Sequence, residues 1–237
     1  MQDVSFQANP DASLQVFAAG EEQTPIIVID DFAVDTSDII RYACELVSFD
    51  VDETSAYPGV RAYLSRGHVI AAVNPILELL YKAYSIPPAL QLRPVSTFYS
   101  LVSMPSNKLR PMQRIPHFDC NRPYYFAITH YLDDGAHGGT GLYRHKPTGF
   151  ENITEERLDE YIKAGDKILE SHGDPVAEYF TGSDDHFELF ATIDYKPNRL
   201  VVYPGTLLHS GLIDPATDIN PNPKMGRLTS NIFVEFQ

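Results

Sequence analysis

This sequence predicts a mainly β fold with flanking helices (α+β), on three observations. Short runs rich in β-branched and aromatic residues recur at 25–30, 97–102, 186–193 and 228–236, each of strand length. Three longer stretches carry apolar residues three and four positions apart, the period of an amphipathic helix. No internal repeat, low-complexity tract or phosphate-cradling glycine loop breaks the pattern, since Gly138-Gly139 lacks the strand-then-helix setting of a nucleotide motif.

Taken in order, Pro25-Ile26-Ile27-Val28-Ile29-Asp30 is a strand bounded by polar residues. Asp35 is placed to cap a helix with Ile39, Ile40, Ala43, Leu46 and Val47 inward, and Asp38 sits in the first turn, where the helix dipole favours an anion. Residues 48–67 hold the turn signal Tyr57-Pro58-Gly59 and read mostly as loop, with Arg61 a candidate substrate contact. A second helix fits 68–84, where Val69, Ile70, Val73, Ile76, Leu77, Leu80 and Tyr81 form one stripe and Pro75 bends it or begins its main section. Both helices are expected to brace one sheet from outside. Around 144–185 lies an insertion in which Thr154 caps a helix to about Ser171, with Leu158, Tyr161, Ile162, Ile168 and Leu169 inward and Gly173 ending it. Its charges are a solvated face or the outside of a lid. Residues 186–193 alternate as a strand does, and 228–236 form the last strand.

The chain of 237 residues is long enough for one core burying on the order of 70–75% of the unfolded surface. We expect one domain over 1–237: a strand and supporting helices in 1–94, then a β core in 95–237 that carries the insertion. A net charge of −14 with no run of Lys or Arg argues against a nucleic-acid or anionic-membrane partner, since a phosphate backbone is repelled unless a basic patch is locally concentrated. The acidic excess reads as a solvating surface, with a cationic substrate as the lesser alternative. Two cysteines, Cys44 and Cys120, are too few for a disulfide framework, and Cys44 falls on a helical apolar face. The first residues lack a secretory pattern and no apolar run reaches membrane-spanning length, so a cytoplasmic location is expected.

The chemistry begins at His117-Phe118-Asp119. In an extended strand His117 and Asp119 share a face, about 6.6–6.8 Å apart at their backbones, while Phe118 points into packing. His209, in Tyr203-Pro204-Gly205-Thr206-Leu207-Leu208-His209-Ser210-Gly211, adds a second imidazole. Two imidazoles and one carboxylate are the ligand set of a mononuclear iron(II) site with open positions. Arg227 and Thr229 share a face of the last strand, and a buried guanidinium there needs a carboxylate partner, from a ligand or from Asp214 or Asp218. A nucleophilic pair of Ser210 with His209 is set aside, because adjacent strand residues face opposite ways. His68, His130, His137, His145, His172 and His186 read as surface or structural groups, and His145 is the first to examine.

The ordered series Pro116-His117-Phe118-Asp119, Ala127-Ile128-Thr129-His130-Tyr131-Leu132, Gly138-Gly139-Thr140-Gly141-Leu142-Tyr143, Leu200-Val201-Val202-Tyr203-Pro204-Gly205, His209-Ser210-Gly211 and Arg227-Leu228-Thr229 resembles the 2-oxoglutarate and iron(II)-dependent dioxygenases, the prolyl-hydroxylase-like branch in particular, over roughly residues 95–237. The resemblance implies a jelly-roll-like double-stranded β-helix with helices on one outer face. It implies His117, Asp119 and His209 as iron(II) ligands, Arg227 as partner of the distal carboxylate of 2-oxoglutarate and Thr229 as the accompanying hydroxyl. Tyr131 would stand near the same carboxylate, and Tyr99 would reach the co-substrate from the preceding strand. Ascorbate would be an accessory reductant. Because halogenating members lack the carboxylate ligand, Asp119 implies hydroxylation of a carbon in an amino-acid, peptide or small-molecule substrate. Two stretches are longer than the family's usual connections: residues 212–226, and the insertion between Tyr143 and Leu200. A zinc hydrolase using the same three ligands and a catalytically silent binding module are the alternatives.

Overall fold

The structure, a computed structural model, describes residues 3–52 and 56–237. Met1 and Gln2, at the start of the segment read above for a secretory pattern, and residues 53–55 of the expected loop lie outside the described residues. The chain opens with a hairpin, β1 (Ser13–Ala19) and β2 (Thr24–Asp30), followed by α1 (Ser37–Glu45), the short strands β3 (Asp50–Val51) and β4 (Gly59–Tyr63), and the helices α2 (Arg66–Val73) and α3 (Leu77–Ala83). The long β5 (Leu92–Val102) leads to β6 (Tyr125–Tyr131) and β7 (Thr140–His145). Then come α4 (Glu155–His172), β8 (Phe187–Ile193), β9 (Leu200–Pro204), β10 (His209–Gly211) and β11 (Thr229–Phe236).

The strands form two sheets, in the orders β1-β2-β9-β6-β11-β5-β4-β3 and β10-β7-β8. Every pairing between them is antiparallel. The fold is therefore the expected mainly β, jelly-roll-like architecture with flanking helices, in open form. Period-two alternation decides what each face of the large sheet buries. One face, with Tyr99, Ile128, Val202, Ile232 and Val234, packs on Ile39, Ala43, Val73, Ile76 and Leu80 of the helical segments. The other face, with Ile26, Val28, Ala127, Val201 and Tyr203, meets Leu142, Ile193 and Leu207 on the side of the small sheet. Helices thus cover one outer face, and the small sheet packs against the other.

Local chemistry sets the helix ends. The Asp35 carboxylate accepts from Ser37 N–H at 2.8 Å and from its hydroxyl at 2.9 Å, although the cap position itself is Thr36. Ser65 Oγ caps α2 through His68 N–H at 3.2 Å. Pro75, which has no N–H to donate, divides the stripe at 68–84 into α2, a 3-10 turn over 74–76 and α3.

Several elements depart from the expectations. Residues 59–63 are a strand: β4 pairs with β5 in the register Gly59↔Val102 to Tyr63↔Phe98, just past the Tyr57-Pro58-Gly59 turn. The pairing comes from a partner some forty residues on, which no local pattern reveals. Strand β1 escaped notice because it is an edge strand with Leu14 and Val16 exposed, and only Phe17 and Ala19 at its end pack on the core. Helix α4 buries no residue, and Ile162 and Leu169, expected inward, are 48% and 49% exposed. It docks through Leu158 and Tyr161 on a cluster around Tyr143, Ile153, Phe187 and Leu208. Cys44 is only half-buried. Among the described residues no helix is long and apolar enough to cross a membrane.

Candidate metal centre

The turn after β9 builds the centre. Gly205 N–H donates to the Tyr125 carbonyl at 2.7 Å, and a Cβ at Gly205 would run into the Tyr125 ring. The Gly205 carbonyl accepts from Asp119 N–H at 2.8 Å and Cys120 N–H at 3.1 Å. Four residues on, His209 and His117 exchange backbone hydrogen bonds of 2.8 and 2.9 Å as an isolated antiparallel bridge. The His-Phe-Asp segment is therefore no regular strand, but it is laid along the β9–β10 connection at two points. Phe118 turns into the cluster beneath α4, 6.0 Å from the Tyr161 ring, which sends His117 and Asp119 the other way.

One ligand atom from each of His117, Asp119 and His209 lies within 4.8 Å of the others. His117 Nε2 is 3.9 Å from Asp119 Oδ1, and His209 Nε2 is 3.7 Å from Asp119 Oδ2. His209 Nδ1 donates to the Leu207 carbonyl at 2.8 Å, which fixes the tautomer and leaves Nε2 as a lone-pair donor toward the carboxylate. The His117 side chain is 47% exposed while those of Asp119 and His209 are 14% and 7%, so the centre opens on the His117 side.

Burial pushes the Asp119 carboxyl up to about 6 against the pull of His117 and Arg61. Burial also lowers His209 to about 4, opposed by its bond to Leu207, and lowers His117, helped by His209 and opposed by Asp119. Asp119 Oδ2 is buried with no hydrogen-bond partner among the described residues. An unpaired buried carboxylate oxygen facing two neutral imidazole nitrogens is costly as it stands, and a cation relieves it. The residues fit a divalent first-row transition metal.

The residues expected at the co-substrate are brought together in part. Residues 212–226 fold back on themselves: Asp218 Oδ2 accepts from Asp214 N–H at 2.9 Å, Asp218 N–H donates to the Asp214 carbonyl at 2.9 Å, and Asn220 N–H reaches Val102 of β5 at 2.9 Å. Arg227 consequently enters the cleft, 6% exposed, where Nε donates to Gly138 O at 2.7 Å and Nη2 to Gly139 O at 3.3 Å. Its guanidinium stands 5.4 Å from the Tyr131 ring and 5.6 Å from Tyr195. No ion pair joins it to Asp214 or Asp218 among the described residues; Asp218 instead holds His137 Nδ1 at 2.8 Å and Gly138 N–H at 3.1 Å. Thr229 pairs with Tyr131 across β11 and β6 on the same face, and Tyr131 shares a hydrogen bond of 2.7 Å with Thr140.

Tyr99 is not part of this group. It lies on the helix-facing side of β5, where its hydroxyl donates to Ile39 O at 3.2 Å and meets His68 Nδ1 at 3.1 Å. The reason is parity, since in β5 the cleft-facing positions are Phe98 and Ser100. His145 is buried beside Thr148 and outside the metal cluster, and His68 and His130 are buried on the helix side. Tyr203 was missed: its ring lies 4.7 Å from His209, and its hydroxyl, raised by burial and by Asp119, also feels Arg227. It therefore packs on a ligand of the cluster, in the field of both Asp119 and Arg227. A signal was present, because Tyr203 shares the Val201 face of a strand two residues before the Gly205 turn.

Comparison with known proteins adds family and fold likeness. HygX from Streptomyces hygroscopicus, solved with nickel, 2-oxoglutarate and hygromycin B bound, is similar to this chain with a TM-score of 0.46 and 13% identity over 90% of this chain and 84% of its own. AviO1 from Streptomyces viridochromogenes Tue57 gives a TM-score of 0.39 and 13% identity over 84% and 78%. No curated protein sequence matches the chain. The model of a family of unknown function, DUF6445, matches residues 10–234. On that match, which spans nearly all of its length, the chain belongs to the DUF6445 family.

Proposed function

We propose that this chain is an iron(II)- and 2-oxoglutarate-dependent oxygenase that hydroxylates a carbon of an amino-acid, peptide or other small substrate. The observation that carries the reading is the convergence of three ligand atoms within 4.8 Å about a buried carboxylate oxygen that has no hydrogen-bond partner among the described residues. Iron(II) with 2-oxoglutarate supplies oxidation by dioxygen, coupled to decarboxylation of the co-substrate to succinate. His117 and His209 would offer neutral nitrogens to the metal, and Asp119 its negative charge.

Arg227 has no carboxylate partner among the described residues, and its fork, oriented by the Gly138 and Gly139 carbonyls, is suited to the distal carboxylate of the co-substrate. Thr229 and Tyr131 would flank that group with hydroxyls, and Tyr203 would bridge toward the metal. Packing between the two sheets keeps bulk water from this end of the cleft. Ascorbate would serve as an accessory reductant, and neither nucleic acid nor a membrane is a partner on this reading.

The test is succinate release from 2-oxoglutarate, measured with and without Fe(II) and oxygen. Release requiring both, and reduced at least about a hundredfold by Asp119→Ala, is expected. Full turnover in Asp119→Ala would sink the ligand assignment, and metal-dependent hydrolysis without oxygen would favour the zinc alternative.

A further inference from the structure

A row of side chains crosses the large sheet beyond the proposed co-substrate group. In the antiparallel register Tyr131 faces Thr229, Thr229 faces Ser100, and Ser100 faces Arg61. Directly paired residues share a face, so all four stand on the side turned toward the small sheet. The two members farthest from Tyr131, Ser100 and Arg61, hold polar atoms without a hydrogen-bond partner among the described residues. Ser100 is fully buried and its Oγ has no partner among the described residues, and Arg61 Nε is likewise buried without one there.

The Arg61 guanidinium is fixed in place, 4.4 Å from the Tyr57 ring and 5.1 Å from Phe98. Its ion pair is long, Nη1 to Asp52 Oδ2 at 3.4 Å, and uses one corner of the fork. The edge formed by Nε and Nη2, which matches a planar carboxylate, is not used by that contact. The charge of Arg61 is felt at His117 and Asp119, and Tyr57 lies in the field of both Arg61 and Arg227. Buried polar groups are normally satisfied, and two neighbouring exceptions beside a metal cluster point to a partner that comes and goes.

This step rests on the function proposed above, in which Arg227 is committed to 2-oxoglutarate. We propose that Arg61 and Ser100 anchor a carboxylate of the substrate, which makes the substrate class a small carboxylic acid, such as an amino acid or acyl amino acid. The acid group lies at Arg61 and the carbon to be oxidised toward His117, Asp119 and His209. A guanidinium refuses a cationic group, and a neutral amide would not repay its charge.

N-acetyl amino acids and their matched N-acetyl amino-acid amides are titrated by calorimetry into the full chain, loaded anaerobically with Mn(II) and 2-oxoglutarate. At least one acid binds while its amide does not, Arg61→Gln weakens that acid at least about tenfold, and Ser100→Ala weakens it about threefold. Arg61→Lys restores part of the loss, because an ammonium is a point charge and not a fork; with Ser100→Ala it carries the test if Arg61→Gln does not fold. The proposal is overturned if no acid outbinds its amide, if Arg61→Gln binds acids like the wild type, or if Arg61→Gln weakens 2-oxoglutarate and not the acids. A wild-type chain that binds neither Mn(II) nor 2-oxoglutarate, yet still discriminates acid from amide through Arg61, refutes the oxygenase reading and leaves the anchor standing.

Discussion

Arg227 is buried with backbone carbonyls for company. Gly138 O and Gly139 O take its Nε and Nη2, and the stacked Tyr131 and Tyr195 rings stand 5.4 and 5.6 Å away, so its charge is partly solvated but not neutralised. Such an arrangement holds the fork still and keeps its attraction for an incoming anion. Arg227→Gln is expected to weaken 2-oxoglutarate binding by about a hundredfold and to leave Mn(II) binding without co-substrate nearly unchanged; calorimetry with each ligand measures both, and an unchanged 2-oxoglutarate affinity removes Arg227 from the site. At this scale the convergence of His117, Asp119 and His209 and the burial of Arg227 were legible in the sequence, because their chemistry is specific and their order distinctive. Tyr203 and Ser100 were not, since one tyrosine or serine in a strand reads as packing until its neighbours across the sheet are known. Tyr99 failed by a single position, because a shift of one residue in a strand exchanges the two faces.

Among the elements, the segment from Leu132 to Thr140 does the most to set the cleft. His137 is gripped by two carboxylates, Nε2 to Asp133 Oδ1 at 2.6 Å and Nδ1 to Asp218 Oδ1 at 2.8 Å, and Tyr195 donates to the Asp133 carbonyl at 2.8 Å. This clamp ties the turn before β7 to residues 212–226, so the two carbonyls that orient Arg227 depend on it. Gly138 and Gly139 are needed there because a Cβ on either would strike the carbonyl of Leu212 or Ile193. The glycine pair was visible in the sequence, but its reason, close backbone approach, belongs to chains that meet only in the fold. The same holds for 212–226, whose length alone said nothing of the fold-back made by Asp218. With Asp218 fully buried, His137→Ala leaves its carboxylate without the imidazole and is expected to cost about 3–5 kcal/mol. Urea unfolding reads the loss, and a free energy within about 0.5 kcal/mol of wild type would mean the clamp carries no weight.

For the whole molecule, the face opposite the cleft sets the response to acid. Between the large sheet and the helices lie His68, bonded to Tyr99 at 3.1 Å and Ser230 at 3.2 Å, and His130, bonded to Asn198 at 3.0 Å, with the Phe6 ring packed on both. No carboxylate bonds to either among the described residues. Burial lowers His68 to about 3 and His130 to about 4 from the usual 6.5, with His130 adding to the effect on His68. The folded rings therefore stay neutral while the unfolded chain takes up protons below about 6.5, so this stability is full above that pH and is lost as pH falls toward 4 and then 3. His117 and His209 act in the same direction. Asp119, raised to about 6, acts in the opposite one, and Asp119→Asn removes it from the measurement. The Asp30 carboxylate, lowered by Arg199, and that of Glu22, whose burial is outweighed by bonds to Glu151, Asn152 and Arg157, lose their contribution only as pH falls below their ordinary values of 3.8 and 4.5, which lies beneath the interval from pH 7 to pH 5 where the histidines are tested. In the Asp119→Asn background without metal, Tm is expected to fall by on the order of 5 °C or more between pH 7 and pH 5. Replacing His68 and His130 together by Gln should make that slope shallower, and an equal slope in the double variant would place the acid sensitivity elsewhere in the molecule.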